Sequence, residues 1–198
     1  MRALALLCLA ALATPVLAEE AELARARKIV AGSCFLCHGM QGESATELSP
    51  RLAAQNQNYI AKQLANFKSG ERKSSAMRPM VAALTPQDMR ALGLYFSRQR
   101  SEPHPTSDAR LAAQGMFIYR QGGKATEVAA CVGCHGERGH GTESLPRLAG
   151  QVASYLAMQL KNFGTRERTN DNAVMHAIAS KLTELEIRAV AVYLSGQL

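Results

Sequence analysis

Cys34-Phe35-Leu36-Cys37-His38 and Cys131-Val132-Gly133-Cys134-His135 are two copies of one pentapeptide, C-x-x-C-H. On a helix, residues three apart share one face about a turn apart. Two thiols so placed can form thioethers with two vinyl groups on one edge of a haem, while the adjacent imidazole points at the iron. This is the haem-attachment signature. A C-x-x-C alone would also suit a redox dithiol or a zinc knuckle. Thioredoxin-type dithiols have no need of the following His and expect a β-α-β surround. A single zinc site built from all four cysteines would have to join segments 97 residues apart, 131 minus 34. The expectation is therefore two haem c groups, covalently held by Cys34 and Cys37 and by Cys131 and Cys134, with His38 and His135 as iron ligands.

The match between the two halves runs far beyond the pentapeptides. Pro50-Arg51-Leu52-Ala53 falls on Pro146-Arg147-Leu148-Ala149, and Gln55 and Tyr59 fall on Gln151 and Tyr155. Gln63-Leu64, Asn66-Phe67 and Glu71-Arg72 fall on Gln159-Leu160, Asn162-Phe163 and Glu167-Arg168. Leu84-Thr85 meets Leu182-Thr183, and Tyr95 meets Tyr193. The offset drifts by only a residue or so, as loop changes would produce, so the chain is a tandem duplication rather than a solenoid.

Each copy reads as all-α, with no convincing strand alternation. Thr85-Pro86-Gln87-Asp88 and Thr183-Glu184-Leu185-Glu186 are capping boxes that open the closing helices. Apolar residues then recur at Met89, Leu92 and Phe96, and at Ile187, Val190 and Leu194. A middle helix carries Tyr59, Ile60, Leu64 and Phe67, matched by Tyr155, Leu156, Leu160 and Phe163. Opening helices are expected over roughly Ala21 to Phe35 and Ser107 to Arg120, each leading to its motif. The Pro-punctuated segment 101–107 reads as an extended linker between domains at 19–100 and 108–198.

Residues 1–18 have a positive start at Arg2, an apolar run from Ala3 to Ala13, Pro15 and a small-residue exit at Ala18. That order is a secretory signal, and the run is shorter than the ~20 apolar residues of a membrane span. Export predicts a periplasmic location and argues against nucleic acid as the partner of a chain of net charge +7. A basic excess suits acidic protein partners or an anionic membrane surface on which the protein would rest peripherally. Aromatics make up 5% of the chain and Trp is absent. Side chains alone are a meagre filling for two small cores.

A closed iron site needs a sixth ligand. Aligning Leu84-Thr85 with Leu182-Thr183 puts Met77 over Met175, each seven residues before its leucine and each in the loop before the closing helix. Met40, Met80, Met89, Met116 and Met158 have no methionine at the matching position and read as core filler. Met80, which follows Pro79, is the rival to Met77. His104, His140 and His176 have no counterpart in the other copy and read as surface or turn residues.

These residues resemble the dihaem cytochrome c4 family, tandem class I cytochrome c domains with C-x-x-C-H near the start and a distal Met before the last helix. The resemblance covers about Ala21 to Leu198. It implies two domains related by pseudo-twofold symmetry with His/Met ligation at both haems. It implies that Pro50 and Pro146 offer the carbonyls that accept the hydrogen bond of each proximal imidazole, a contact that fixes the tautomer and raises ligand basicity. Arg51 and Arg147 stand where a basic residue is usual, and contacts with haem propionates are expected of them.

With both axial positions filled, no small-molecule substrate reaches the metal, and thioether ligation favours ferrous iron. The implied role is single-electron shuttling between respiratory partners, from a quinol-oxidising complex to a terminal oxidase, with no catalysis of its own. Two alternatives remain at this point. One is a cytochrome subunit of a larger dehydrogenase such as flavocytochrome sulfide dehydrogenase. The other is a dihaem enzyme such as thiosulfate dehydrogenase, which would need an openable or unusual axial ligand.

Overall fold

The computed structural model describes residues 17–104, 108–123 and 127–198. Of the expected export signal, residues 1–16 lie outside the described chain, as do 105–107 of the expected linker. Helix α1 covers 17–29 and runs through a π-helical turn, Val30–Cys34, into α2 at Phe35–His38. There follow α3 (Gln57–Ser69), α4 (Met77–Val81) and α5 (Pro86–Ser97). The second copy repeats the series as α6 (Ala109–Gln121), α7 (Val132–His135), α8 (Ala153–Gly164), α9 (Val174–Ala179) and α10 (Glu184–Ser195). Among the described residues there is no strand beyond one isolated antiparallel bridge between Gly123 and Val128. The fold is all-α, two tandem domains of one design.

The helix starts follow the expected chemistry. Thr85 Oγ1 accepts from the Asp88 amide at 3.1 Å, and Asp88 Oδ2 accepts from the Thr85 amide at 2.8 Å. Thr183 and Glu186 exchange the same pair at 3.3 and 2.8 Å. Each box satisfies two amides that a helix end leaves without partners. The faces these helices turn inward are those the periodicity marks: Met89, Leu92 and Phe96, and Ile187, Val190 and Leu194, are all buried.

In the first domain α5 packs on α3 around Leu23, Ala26, Val30, Ile60, Leu92 and Phe96. In the second α10 packs on α6 and α8 around Leu111, Ile118, Tyr119, Leu156, Val190 and Leu194. Each fully buried aliphatic or aromatic side chain of this kind contributes roughly 1.5–3 kcal/mol. The tyrosines tie the haem-motif loops down: Tyr95 donates to the Met40 carbonyl at 2.9 Å and Tyr119 to that of Gly136 at 2.5 Å.

Two local details sharpen the expectations. In the second domain the opening helix ends close to Arg120, as expected, and well short of its motif. It stops at Gln121, and the chain turns through Gly122, Gly123 and the bridge to Val128 before Cys131. Gly122 has φ +73, a conformation that ends the helix and that glycine adopts without strain. The segments of Met77 and Met175 are also not loops, because each belongs to a short helix, α4 or α9. The Ser74 hydroxyl accepts from the Met77 amide at 3.1 Å, and Pro79 stands in the first turn, where its missing N–H breaks no bond. Asp171 Oδ2 accepts from the His176 amide at 3.0 Å.

Candidate haem sites

The two motifs form matching one-turn helices. Cys34 and Cys131 precede α2 and α7, while Cys37 and Cys134 lie within them and are exposed. No disulfide joins any of the four. Each helix ends at a glycine of positive φ, Gly39 at +77 and Gly136 at +78, so the chain turns away directly after the histidine. His38 and His135 are buried at 8% and 7% exposure.

His38 Nδ1 lies 2.9 Å from the Pro50 carbonyl oxygen, and His135 Nδ1 lies 3.5 Å from that of Pro146. A carbonyl only accepts, so Nδ1 carries the proton and Nε2 is left with its lone pair for a metal. Burial pushes both imidazoles toward the neutral form, against the opposing pull of the proline carbonyls. Neutral imidazole is the ligating species. Burial also pushes the Cys131 thiol up to about 11 and raises that of Cys34. Redox dithiols show the opposite, a depressed thiol pKa.

Among the described residues no three His, Cys, Asp or Glu side chains converge as a metal site of their own. Each motif offers one imidazole and two thiols on a single turn, a donor set that fits a covalently attached haem. Of the candidate sixth ligands, Met77 and Met175 are half-buried, whereas Met80 is 48% exposed. His176 Nδ1 is engaged with the Phe163 carbonyl at 3.0 Å.

Arg51 reaches out of its own domain. Its guanidinium crosses to the second domain and the linker, donating to the Gly150 carbonyl at 2.9 Å and to the Glu102 carbonyl. It also donates toward Ser101 Oγ at 3.4 Å and lies 2.6 Å from His104 Nε2. Its nitrogens thus form an interdomain clasp on protein acceptors. Arg147 Nε donates to the Ala149 carbonyl at 3.2 Å. His104 takes part in the clasp from an exposed position, a role its lack of a repeat partner concealed.

A second polar layer joins α3 to α8. Arg72 donates to Gln63 and, across the interface, to Tyr155 and Gln159, at 2.8, 2.8 and 2.9 Å. Arg168 donates to Gln159, Tyr59 and Gln63 at 2.8, 2.9 and 3.1 Å. Burial alone would push the Tyr59 hydroxyl up, but the adjacent Arg168 and Arg72 outweigh it and hold its pKa below the ordinary value. The sequence matched these residues across the repeat without indicating that the copies face each other through them.

Residues 21–96 match the family model described as Cytochrome C oxidase, cbb3-type, subunit III, and residues 120–197 match Cytochrome c. Cytochrome c4 of Thiocapsa roseopersicina is 41% identical over 169 residues, covering 83% of this chain and 87% of that protein. The chain belongs to the cytochrome c4 family. It is a dihaem electron-transfer cytochrome with two covalently bound haem c groups. The crystal structure of reduced recombinant cytochrome c4 from Pseudomonas stutzeri matches with a TM-score of 0.82 at 35% identity, covering 87% of this chain and 97% of that one. The chain is also similar to a protein named thiosulfate dehydrogenase electron acceptor from Thiomonas intermedia (strain K12). That relative is 33% identical over 172 residues, 84% of this chain and 79% of its own.

Proposed function

We propose that this chain is a periplasmic shuttle that takes single electrons from a quinol-oxidising complex and delivers them to a terminal oxidase. Cys34, Cys37 and His38 hold one haem with Met77 as the distal ligand; Cys131, Cys134, His135 and Met175 hold the other. When bound, each haem supplies a one-electron ferric/ferrous couple. The protein fixes each imidazole, keeps it neutral and bolts the two domains into one body. The observation that carries the reading is the pair of buried histidines whose Nδ1 atoms face proline carbonyls. Such a contact orients a permanent axial ligand rather than a group that must move.

Export rests on residues 1–18, with the mature domains at 19–100 and 108–198. Among the described residues no helix is long and apolar enough to cross a membrane. The +7 charge favours an acidic docking face on each partner.

The name of the Thiomonas relative supports a second reading, in which the electrons come from a thiosulfate-oxidising enzyme. In both readings the chain is a carrier. Absorption spectroscopy on the purified holoprotein tests this. A charge-transfer band of methionine-ligated ferric haem is expected, lost by half in Met77→Ala and retained in Met80→Ala. Rapid carbon monoxide binding by the reduced protein, or turnover of thiosulfate by the chain alone, would overturn the carrier.

A further inference from the structure

Gln55 and Gln151 occupy matched positions, each 6% exposed, and each reaches into the other domain. Gln151 Oε1 accepts from the Arg51 amide at 2.7 Å, and its Nε2 donates to the Arg51 carbonyl at 2.8 Å. Gln55 makes the same bracket on Arg147, at 2.7 and 2.9 Å. The orientation of each side-chain amide is fixed by a second donor: the Val152 amide also donates to Gln151 Oε1, and the Asn56 amide to Gln55 Oε1, both at 2.9 Å. Two N–H groups facing one atom require it to be oxygen.

The amide of Arg51 and the carbonyl of Pro50 are the two ends of one peptide group, as are those of Arg147 and Pro146. The Pro50 carbonyl is the acceptor for His38, and that of Pro146 for His135. A hydrogen bond accepted from one end of a peptide polarises the other and makes it the stronger acceptor, by about 10–30% per bond in a low-dielectric interior. A stronger acceptor draws the Nδ1 proton, gives the imidazole more basic character and stabilises the ferric state.

We propose that Gln55 and Gln151 are crossed positioning residues, each setting from one domain the reduction potential of the haem in the other. This rests on the reading of His38 and His135 as iron ligands. It makes domain docking part of the electronic tuning. A domain whose partner has moved away loses the polarising bond on its own proline peptide, and its potential rises.

The test uses the dihaem holoprotein, with proton NMR following the haem methyls of each site through a redox titration. Gln151→Leu is expected to raise the potential of the N-terminal site by about threefold in the one-electron equilibrium constant, ~30 mV at ~59 mV per decade. The C-terminal site should move less. Gln55→Leu should show the reverse. Simple opening of the interface would move both sites alike in both variants, and that outcome overturns the proposal. Should the leucine variants fail to load both haems, Gln151→Glu decides, since it keeps the acceptor and sharpens it with a charge. The N-terminal potential should then fall more than the C-terminal one, and the opposite order overturns the proposal. An intact His/Met spectrum with uncrossed potentials rejects the tuning alone, whereas loss of that spectrum in the parent protein rejects the ligand assignment.

Discussion

Arg72 of the first domain donates to the hydroxyl of Tyr155 in the second at 2.8 Å, and Arg168 returns the bond to Tyr59 at 2.9 Å. Both guanidiniums are buried, at 8% exposure, and stack over Phe67 and Phe163 at 4.6 and 4.4 Å. Among the described residues neither pairs with a carboxylate within ion-pair distance. Buried charge of this kind is tolerated only when its donors are satisfied by oriented acceptors, here two glutamines, two tyrosines and Asn170. Tyr155→Phe removes one acceptor from a buried cation and should lower stability by about 1–3 kcal/mol. Chemical denaturation of Tyr59→Phe, Tyr155→Phe and the double variant checks this. Because both arginines share Gln63 and Gln159, the two losses should be coupled rather than additive.

Acid sensitivity should have one identifiable source in Asp88. The Arg25 side chain bonded to Oδ1, together with the Thr85 hydroxyl and amide on Oδ2, holds this carboxyl well below the usual carboxylate range, against the effect of burial. A folded-state pKa below the unfolded value of about 3.9 gives stability that is complete above that pH and is lost as pH falls through the folded pKa. The Asp88→Asn variant should therefore be less stable than the parent at neutral pH, with the gap closing below about pH 4. Thermal unfolding across pH 2.5–7 measures it, and parallel curves would remove Asp88 from the account.

The haem motifs and the capping boxes were legible because their chemistry is local, set by residues three or four apart on one chain segment. The interface was not. Tyr59, Gln63 and Asn66 form a polar stripe on α3, the pattern of a solvated helix face, and only the pairing of one copy with the other turns it inward. Arg51 shows the same limit. Its guanidinium meets the Glu102 and Gly150 carbonyls and His104, which only the folded linker and second domain bring within reach. For Met77, the repeat singled out a candidate but not its helix, because a five-residue helix opened by a serine hydroxyl leaves no periodicity to read.

Gly115 sets two effects of similar size against each other. Helix propensity alone favours alanine over glycine by about 1 kcal/mol in an interior position such as this one in α6. A Cβ at this site, however, would stand 2.0 Å from the backbone carbonyl oxygen of Ala189 in α10, which no rotamer can relieve. Forcing the helices apart costs about 1–3 kcal/mol or more, so Gly115→Ala should destabilise the C-terminal domain. Gly133 provides the contrast. Nothing lies within 4 Å of its added Cβ, and Leu36 fills the matching position in the first motif, so Gly133→Ala should be neutral or better in the same denaturation assay.

On the proposed assignment of His38 and His135 as iron ligands, the two sites differ in the hydrogen bond behind each imidazole. His38 sits 2.9 Å from Pro50, a normal N–H···O length, and His135 sits 3.5 Å from Pro146, at the outer limit of one. The brackets behind the prolines are equal, both glutamines accepting at 2.7 Å, so the difference lies in the histidine bond itself. The stronger bond gives the more basic imidazole, which stabilises ferric iron. The N-terminal haem should therefore be the lower-potential site, the second to accept an electron and the first to give one up. A redox titration resolving the two haems measures the order, and Pro146→Ala, which leaves the carbonyl in place, should keep it. If the C-terminal haem titrates at the lower potential, factors other than the histidine bond govern the pair, and the bond cannot be what orders electron flow through the molecule.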